Sequence, residues 1–216
     1  MTQEIPIGIV FWGKERTGKS TIVNIWSNTP QPDSYGHHEP RKIEMDYPYG
    51  KHCIFQLKFF DVAAENMENK TVTMATHNKS GPIQIFVMSA EEENDDVNYC
   101  RGLIESPMWN GDEIKLTVII LNKMDIQNND NEEQLKPLLE KYPNILFFKT
   151  SIKDEENIKQ CLVTIVQKYI EIMGIKIKQK SKKSGKKEKE KKEKSEKKEK
   201  KSGKKEKDKT EGCHNQ

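Results

Sequence analysis

Apolar runs of strand length alternate with longer polar or amphipathic stretches over residues 1–175. That alternation is the sequence form of a strand–helix–strand fold. Strands are predicted over 5–12, 42–45, 53–60, 83–88, 116–121 and 145–148. The second and third are separated by the turn-type cluster Asp46-Tyr47-Pro48-Tyr49-Gly50, so they should form a hairpin. The other gaps are of helix length, which implies parallel crossovers. Helices are predicted over 20–26, 94–106, 131–141 and 155–173. The last is the clearest, with Ile158, Cys161, Leu162, Ile165, Val166, Tyr169 and Ile172 at three- and four-residue spacing and Gly174 placed as a C-terminal cap. The expected class is α/β: a six-stranded, mostly parallel sheet with one antiparallel hairpin.

Charge divides the 216-residue chain, although the total of +3 conceals it. Residues 176–210 hold nineteen lysines against seven acidic residues, a net of +12. Residues 1–175 hold eighteen basic and twenty-six acidic residues, a net of −8. No large apolar residue occurs between Gln179 and Gly212, so nothing offsets the entropy of ordering that segment. The expected organisation is a folded domain over 1–175 and a disordered Lys/Glu-rich tail over 176–216. The four cysteines are scattered without metal-type spacing and read as reduced thiols. Met1-Thr2-Gln3-Glu4 lacks the pattern of a secretory signal, and no run approaches the roughly 20 apolar residues that span a bilayer. A cytoplasmic location follows as the expectation.

Within this frame, Gly13-Lys14-Glu15-Arg16-Thr17-Gly18-Lys19-Ser20 completes a G-x-x-x-x-G-K-[ST] phosphate loop between the first strand and the first helix. Backbone N–H groups of such a loop wrap phosphate oxygens at the positive end of a helix, here continued by Thr21. Lys19 can reach terminal phosphates, and the Ser20 hydroxyl can ligate Mg²⁺. Asp61 ends an apolar strand and can hold the same ion through water; as a lone residue it also reads as a cap. Asn122-Lys123-Met124-Asp125 ends the fifth strand, at the edge where open α/β sheets bind ligands. The Asp125 carboxylate can accept the N1–H and 2-amino hydrogens of guanine, a donor pair that adenine lacks. Asn122 can serve the N7 side, and the Lys123 stem can lie over the ring. Lys149-Thr150-Ser151-Ile152-Lys153-Asp154 follows the last strand, with Ser151, Ile152 and Lys153 able to close over the base. Read as a helix start, the same run offers Ser151 or Asp154 as the cap.

These motifs, in this order, resemble the Ras superfamily of small GTPases, and most closely its Rab branch, over roughly residues 5–174. The resemblance includes the run Thr150-Ser151-Ile152-Lys153-Asp154-Glu155-Glu156-Asn157-Ile158 before the final helix. It implies a P-loop domain with about five helices that binds GTP and GDP with Mg²⁺ and hydrolyses GTP slowly. It also implies effector, exchange and GTPase-activating proteins as partners, and a role in membrane or vesicle trafficking or signalling.

The departures from the family pattern fall on catalytic and switching positions. Glu15 and Arg16 stand where the family has small residues, and Asp61-Val62-Ala63-Ala64-Glu65 stands for its Asp-x-x-Gly-Gln. Ala64 keeps the N–H that meets the γ-phosphate but loses glycine's backbone freedom. Glu65 takes the place of the water-orienting glutamine and adds negative charge. The metal-binding threonine of the first switch has no clear counterpart; the position falls near Asp33 or Ser34, and Ser34 carries the hydroxyl. The adjacent His37 and His38 read as exposed loop residues rather than metal ligands. The alternative expectation is therefore a pseudo-GTPase, a binding scaffold that does not hydrolyse. The basic tail is suited to an anionic membrane surface, which would place the protein on the cytosolic face. Cys213 stands fourth from the end as in a prenylation signal, although His214 and Asn215 are not aliphatic. Nucleic acid is disfavoured as a partner because no aromatic residue interleaves the lysines.

Overall fold

Val, Ile and Phe runs favour a pleated, buried surface, and in the computed structural model they become six strands. The structure describes residues 2–31, 41–61, 81–90, 96–106, 112–126 and 131–177. The strands are β1 (Gln3–Trp12), β2 (Arg41–Tyr49), β3 (Cys53–Asp61), β4 (Ile83–Ser89), β5 (Leu116–Asn122) and β6 (Leu146–Lys149). Four helices accompany them among the described residues: α1 (Lys19–Ser27), α2 (Asp96–Ile104), α3 (Asn131–Lys141) and α4 (Glu155–Met173). The sheet order is β2-β3-β1-β4-β5-β6. Among the described residues every pairing is parallel except β2 with β3. The expected α/β class and the single antiparallel pair are both present.

Period-two alternation sends the β1 side chains to two cores. Ile7, Ile9 and Phe11 join the cluster formed with α1 and α4, while Val10 and Trp12 join the one formed with α2 and α3. Helices therefore cover both faces, and β4 is buried along its whole length. Phe59 of β3 is fully buried, with its ring 6.2 Å from Phe11 and 6.0 Å from Trp26, centroid to centroid. We expect Phe59→Ala to destabilise the fold by about 3–5 kcal/mol. A urea titration checks it; a midpoint unchanged from the unmutated chain would contradict this packing.

The hairpin differs from expectation in its turn. Strand β2 runs through Asp46, Tyr47 and Pro48 to Tyr49, which pairs with Cys53, so the turn is Gly50–His52. Pro48 is tolerated because β2 is an edge strand, where a missing donor need not break a ladder. In α4 the predicted bounds and the Gly174 cap are found, but Ile172 is 43% exposed rather than on the buried stripe. The compact unit extends to Ile177, and Ile175 and Ile177 pack against the α1/α4 core. The tail expected beyond it lies outside the described residues, with Cys213 in it.

Because β1, β3, β4 and β5 run parallel, their final residues Trp12, Asp61, Ser89 and Asn122 fall along one edge of the sheet. Strand order reverses beside β1, and the crevice at such a reversal is where open α/β sheets take ligands.

Candidate functional site

The loop after β1 curls tightly at that edge. Gly13 has φ +142°, and a Cβ there would lie 2.2 Å from the Val87 carbonyl oxygen of β4. Gly18 has φ +99°, and its Cβ would lie 2.3 Å from Asn122 Nδ2. Both glycines are thus required by close approach as well as by backbone angle. Arg16 adopts φ +60°, which places ordinary L-residue strain at the tip of the same loop.

Lys19, at the start of α1, is 7% exposed and donates to the carbonyls of Gly13 at 2.9 Å and Lys14 at 2.7 Å. The loop is therefore wound around its own lysine. Burial lowers the Lys19 pKa, against the opposing pull of Asp61, Asp96 and Glu15. Thr17 is buried and donates from its hydroxyl to Lys14 O at 3.1 Å. Glu15 and Arg16 are exposed, and Ser20 and Thr21 are half-buried on the first turn of α1.

Asn122 links this loop to the other half of the site. Its Nδ2 donates to Thr17 O at 3.0 Å, and its Oδ1 accepts from the Thr150 hydroxyl at 3.1 Å. The side chain is fully buried, so both its polar ends are engaged inside the protein rather than offered to a base. Thr150 and Met124 add backbone bonds, Thr150 N to Leu121 O and Met124 N to Thr150 O. The loop 13–18, the 122–125 segment and the 150–153 segment are thereby held as one assembly.

Asp125 sits at the rim of this assembly. Its Oδ1 accepts from the Ser151 hydroxyl at 2.6 Å, and its Oδ2 pairs with Lys153 Nζ at 2.8 Å. Those partners, Lys153 first, hold its carboxyl down at about 2. A depressed carboxyl keeps its contribution until the pH falls through the folded value. Asp125 is thus an ionised acceptor near neutral pH. Each carboxylate oxygen retains a further lone pair for a ligand N–H. Lys123 has φ +64°, a turn that ends β5 sharply, and Ile152 is 42% exposed beside Ser151. The open choice of cap resolves in favour of Asp154, whose side chain accepts from Asn157 N at 3.0 Å.

Two charged groups at this edge escaped the sequence reading. Asp96, at the start of α2, is 1% exposed, and its Oδ2 accepts from Ser89 N at 2.9 Å. Its Oδ1 is buried without a hydrogen-bond partner, with Lys14 Nζ at 3.9 Å. Burial raises its pKa, while the Ser89 N–H, Lys14, Lys19 and Lys123 act against the rise. It lies in the acidic run Glu91–Asp96, where nothing but its place before Val97 and Cys100 distinguishes it. Arg41, at the start of β2, is the second: its Nη2 lies 3.1 Å from Asp61 Oδ2 and 3.2 Å from Asn24 Oδ1.

Ser20 and Asp61 are hard oxygen donors of the kind Mg²⁺ takes, so the donor set suits that ion in type. Asp61 is already paired with a cation, however. Among the described residues no group of three or more His, Cys, Asp or Glu is arranged to hold a metal on its own; phosphate oxygens would have to complete any such sphere. The expected site residues Ser34, Ala64 and Glu65 lie outside the described residues, as do His37 and His38. Cys53, Cys100 and Cys161 are buried free thiols. Among the described residues no helix is long and apolar enough to cross a membrane.

Compared with known proteins, the chain matches no family model and no curated protein.

Proposed function

We propose that this chain is a guanine-nucleotide-binding switch, a Rab-like small GTPase by resemblance, that binds GTP and GDP with Mg²⁺. The observation that carries this is Asn122, whose side chain ties Thr17 of the phosphate loop to Thr150 beside the base-reading segment. A loop for phosphates and a carboxylate for a base, fastened together at the carboxyl edge of a parallel sheet, fit one nucleotide and little else. Lys19 supplies positive charge to phosphate oxygens, and the N–H groups of 13–18 surround them. Asp125 selects guanine by accepting from N1–H and the 2-amino group. Bound Mg²⁺, held through Ser20 and Asp61, would neutralise charge developing on the phosphates. Ser34 is the remaining candidate ligand.

Hydrolysis is slow in this proposal, because Glu15 and Glu65 bring carboxylates where negative charge accumulates. By the resemblance, Glu65 stands in the sequence where the family carries its water-orienting glutamine. Combining Glu65→Gln with Glu15→Gly should raise the single-turnover GTP hydrolysis rate, since one well-placed donor is worth about a hundredfold or more. A rate left at background by these changes favours the second reading, a pseudo-GTPase scaffold. The pairing of Asp61 with Arg41 is the observation that keeps that reading in view.

The strongly basic segment and Cys213 support peripheral association with the cytosolic face of membranes, and effector, exchange and activating proteins would be the partners. The test of the nucleotide reading is the nucleotide content of the purified chain, measured by chromatography. Guanine nucleotide in stoichiometric amount is expected, and adenine nucleotide in its place would overturn the reading.

A further inference from the structure

Arg41 and Asp61 are cross-strand partners in the β2/β3 ladder, at the edge where β3 ends. Directly opposed residues of an antiparallel pair lie side by side on one face of the sheet. The guanidinium of Arg41 reaches Asp61 Oδ2 at 3.1 Å and Asn24 Oδ1 of α1 at 3.2 Å. Asn24 is fully buried, and its Nδ2 donates to Gln31 Oε1 at 3.2 Å, which directs its oxygen toward Arg41. Asp61 is 6% exposed, so its charge is balanced within the protein rather than by water. The Arg41 side chain is 30% exposed, which leaves it a route outward. Its Nε is buried without a partner, so the guanidinium meets the carboxylate through one nitrogen and forgoes the stronger two-pronged contact.

Arginine carries its charge at any working pH. A hydrated divalent cation drawn to Asp61 would meet that fixed positive charge at the carboxylate it needs. We infer that Arg41 is a built-in counter-ion of Asp61 that competes with Mg²⁺ for this carboxylate. The chain then needs more magnesium to engage the metal site than Asp61 and Ser20 alone would require. It also holds nucleotide with less help from the metal, because one positive charge stays at the site without it. This inference rests on the nucleotide reading above and adds a control of metal dependence to it.

The test is a titration of the full chain with a fluorescent methylanthraniloyl-GDP over a range of Mg²⁺ concentrations and with chelator. Arg41→Gln is expected to lower the half-saturating Mg²⁺ concentration about tenfold, the factor that one charge-assisted contact is worth. It should also weaken binding in chelator, so the ratio of metal-free to metal-saturated Kd rises. Arg41→Lys keeps the charge on a shorter group and should fall between the two, which serves if the Gln variant does not fold. Nucleotide binding with an unaltered Mg²⁺ midpoint in both variants would sink this inference and leave the nucleotide reading standing. Absence of any nucleotide binding by the unmutated chain would sink the reading and the inference together.

Discussion

Lys19→Met should cost the chain at least about a hundredfold in affinity for guanosine triphosphate, since a hydrogen bond to a charged group contributes about 1.5–3 kcal/mol and the lysine offers more than one. The same substitution should destabilise the nucleotide-free fold only in part, because the two bonds to loop carbonyls are lost while a buried charge is removed. Burial works against the lysine's charge more strongly than Asp61, Asp96 and Glu15 work for it. The methionine stem fills similar space, and the cost is confined to the bonds to Gly13 O and Lys14 O. A pH effect separates this from a packing change. Because the folded state holds the Lys19 proton less tightly than the unfolded chain does, stability should rise with pH between the lowered value and the ordinary 10.5. Lys19→Met should remove that rise. Isothermal calorimetry for affinity and urea titrations at several alkaline pH values check both halves. Affinity within threefold of the unmutated chain would contradict the phosphate role.

The second large effect is a change of base. Asp125→Asn should reduce GTP affinity by roughly a hundredfold or more while raising affinity for xanthosine triphosphate. On the proposed reading the carboxylate would accept from both N1–H and the 2-amino group of guanine. An amide accepts only once, and its NH₂ would face a second donor; xanthine offers a carbonyl there instead. The loss of the Lys153 pair should matter little to stability, because that pair is exposed to solvent. Competition between GTP and XTP against a fluorescent guanine nucleotide reads the result. Equal loss for both bases would mean that Asp125 supports the segment without reading the base.

How much of this was legible in the sequence varied with burial. Strands β4 and β5 lie inside the sheet and stand out as apolar runs broken only by Gln84 and Thr117 before their polar ends. Helix α4 announces its C-terminal end through Gly174 and its inner face through spacing, while its cap stayed open between Ser151 and Asp154 until the Asn157 N–H bond to Asp154 decided it. Strand β2 was seen only in part, because an edge strand exposes alternate residues and tolerates Pro48. Three site features could not have been read in advance, because each is made by distant residues brought together. Arg41 meets Asp61 only through hairpin register. Asp96 meets Ser89 N only once α2 follows β4. Asn122 looks like a base ligand in its motif, yet its amide is taken by Thr17 and Thr150, which no local pattern specifies. The tight turn at Gly13 and Gly18 was legible because close backbone approach leaves few residue types able to make it.

Whether this edge of the sheet selects a guanine nucleotide is tested by equilibrium competition on the unmutated full chain. A fluorescent guanine nucleotide is bound in the presence of Mg²⁺ and displaced in turn by GTP, GDP, ATP and xanthosine triphosphate. The account predicts displacement by GTP and GDP at concentrations at least about a hundredfold below those needed for ATP, the margin expected when a site's hydrogen-bonding groups are left unpaired by the wrong base. Equal displacement by ATP and GTP, or no binding of the guanine probe at all, would contradict it.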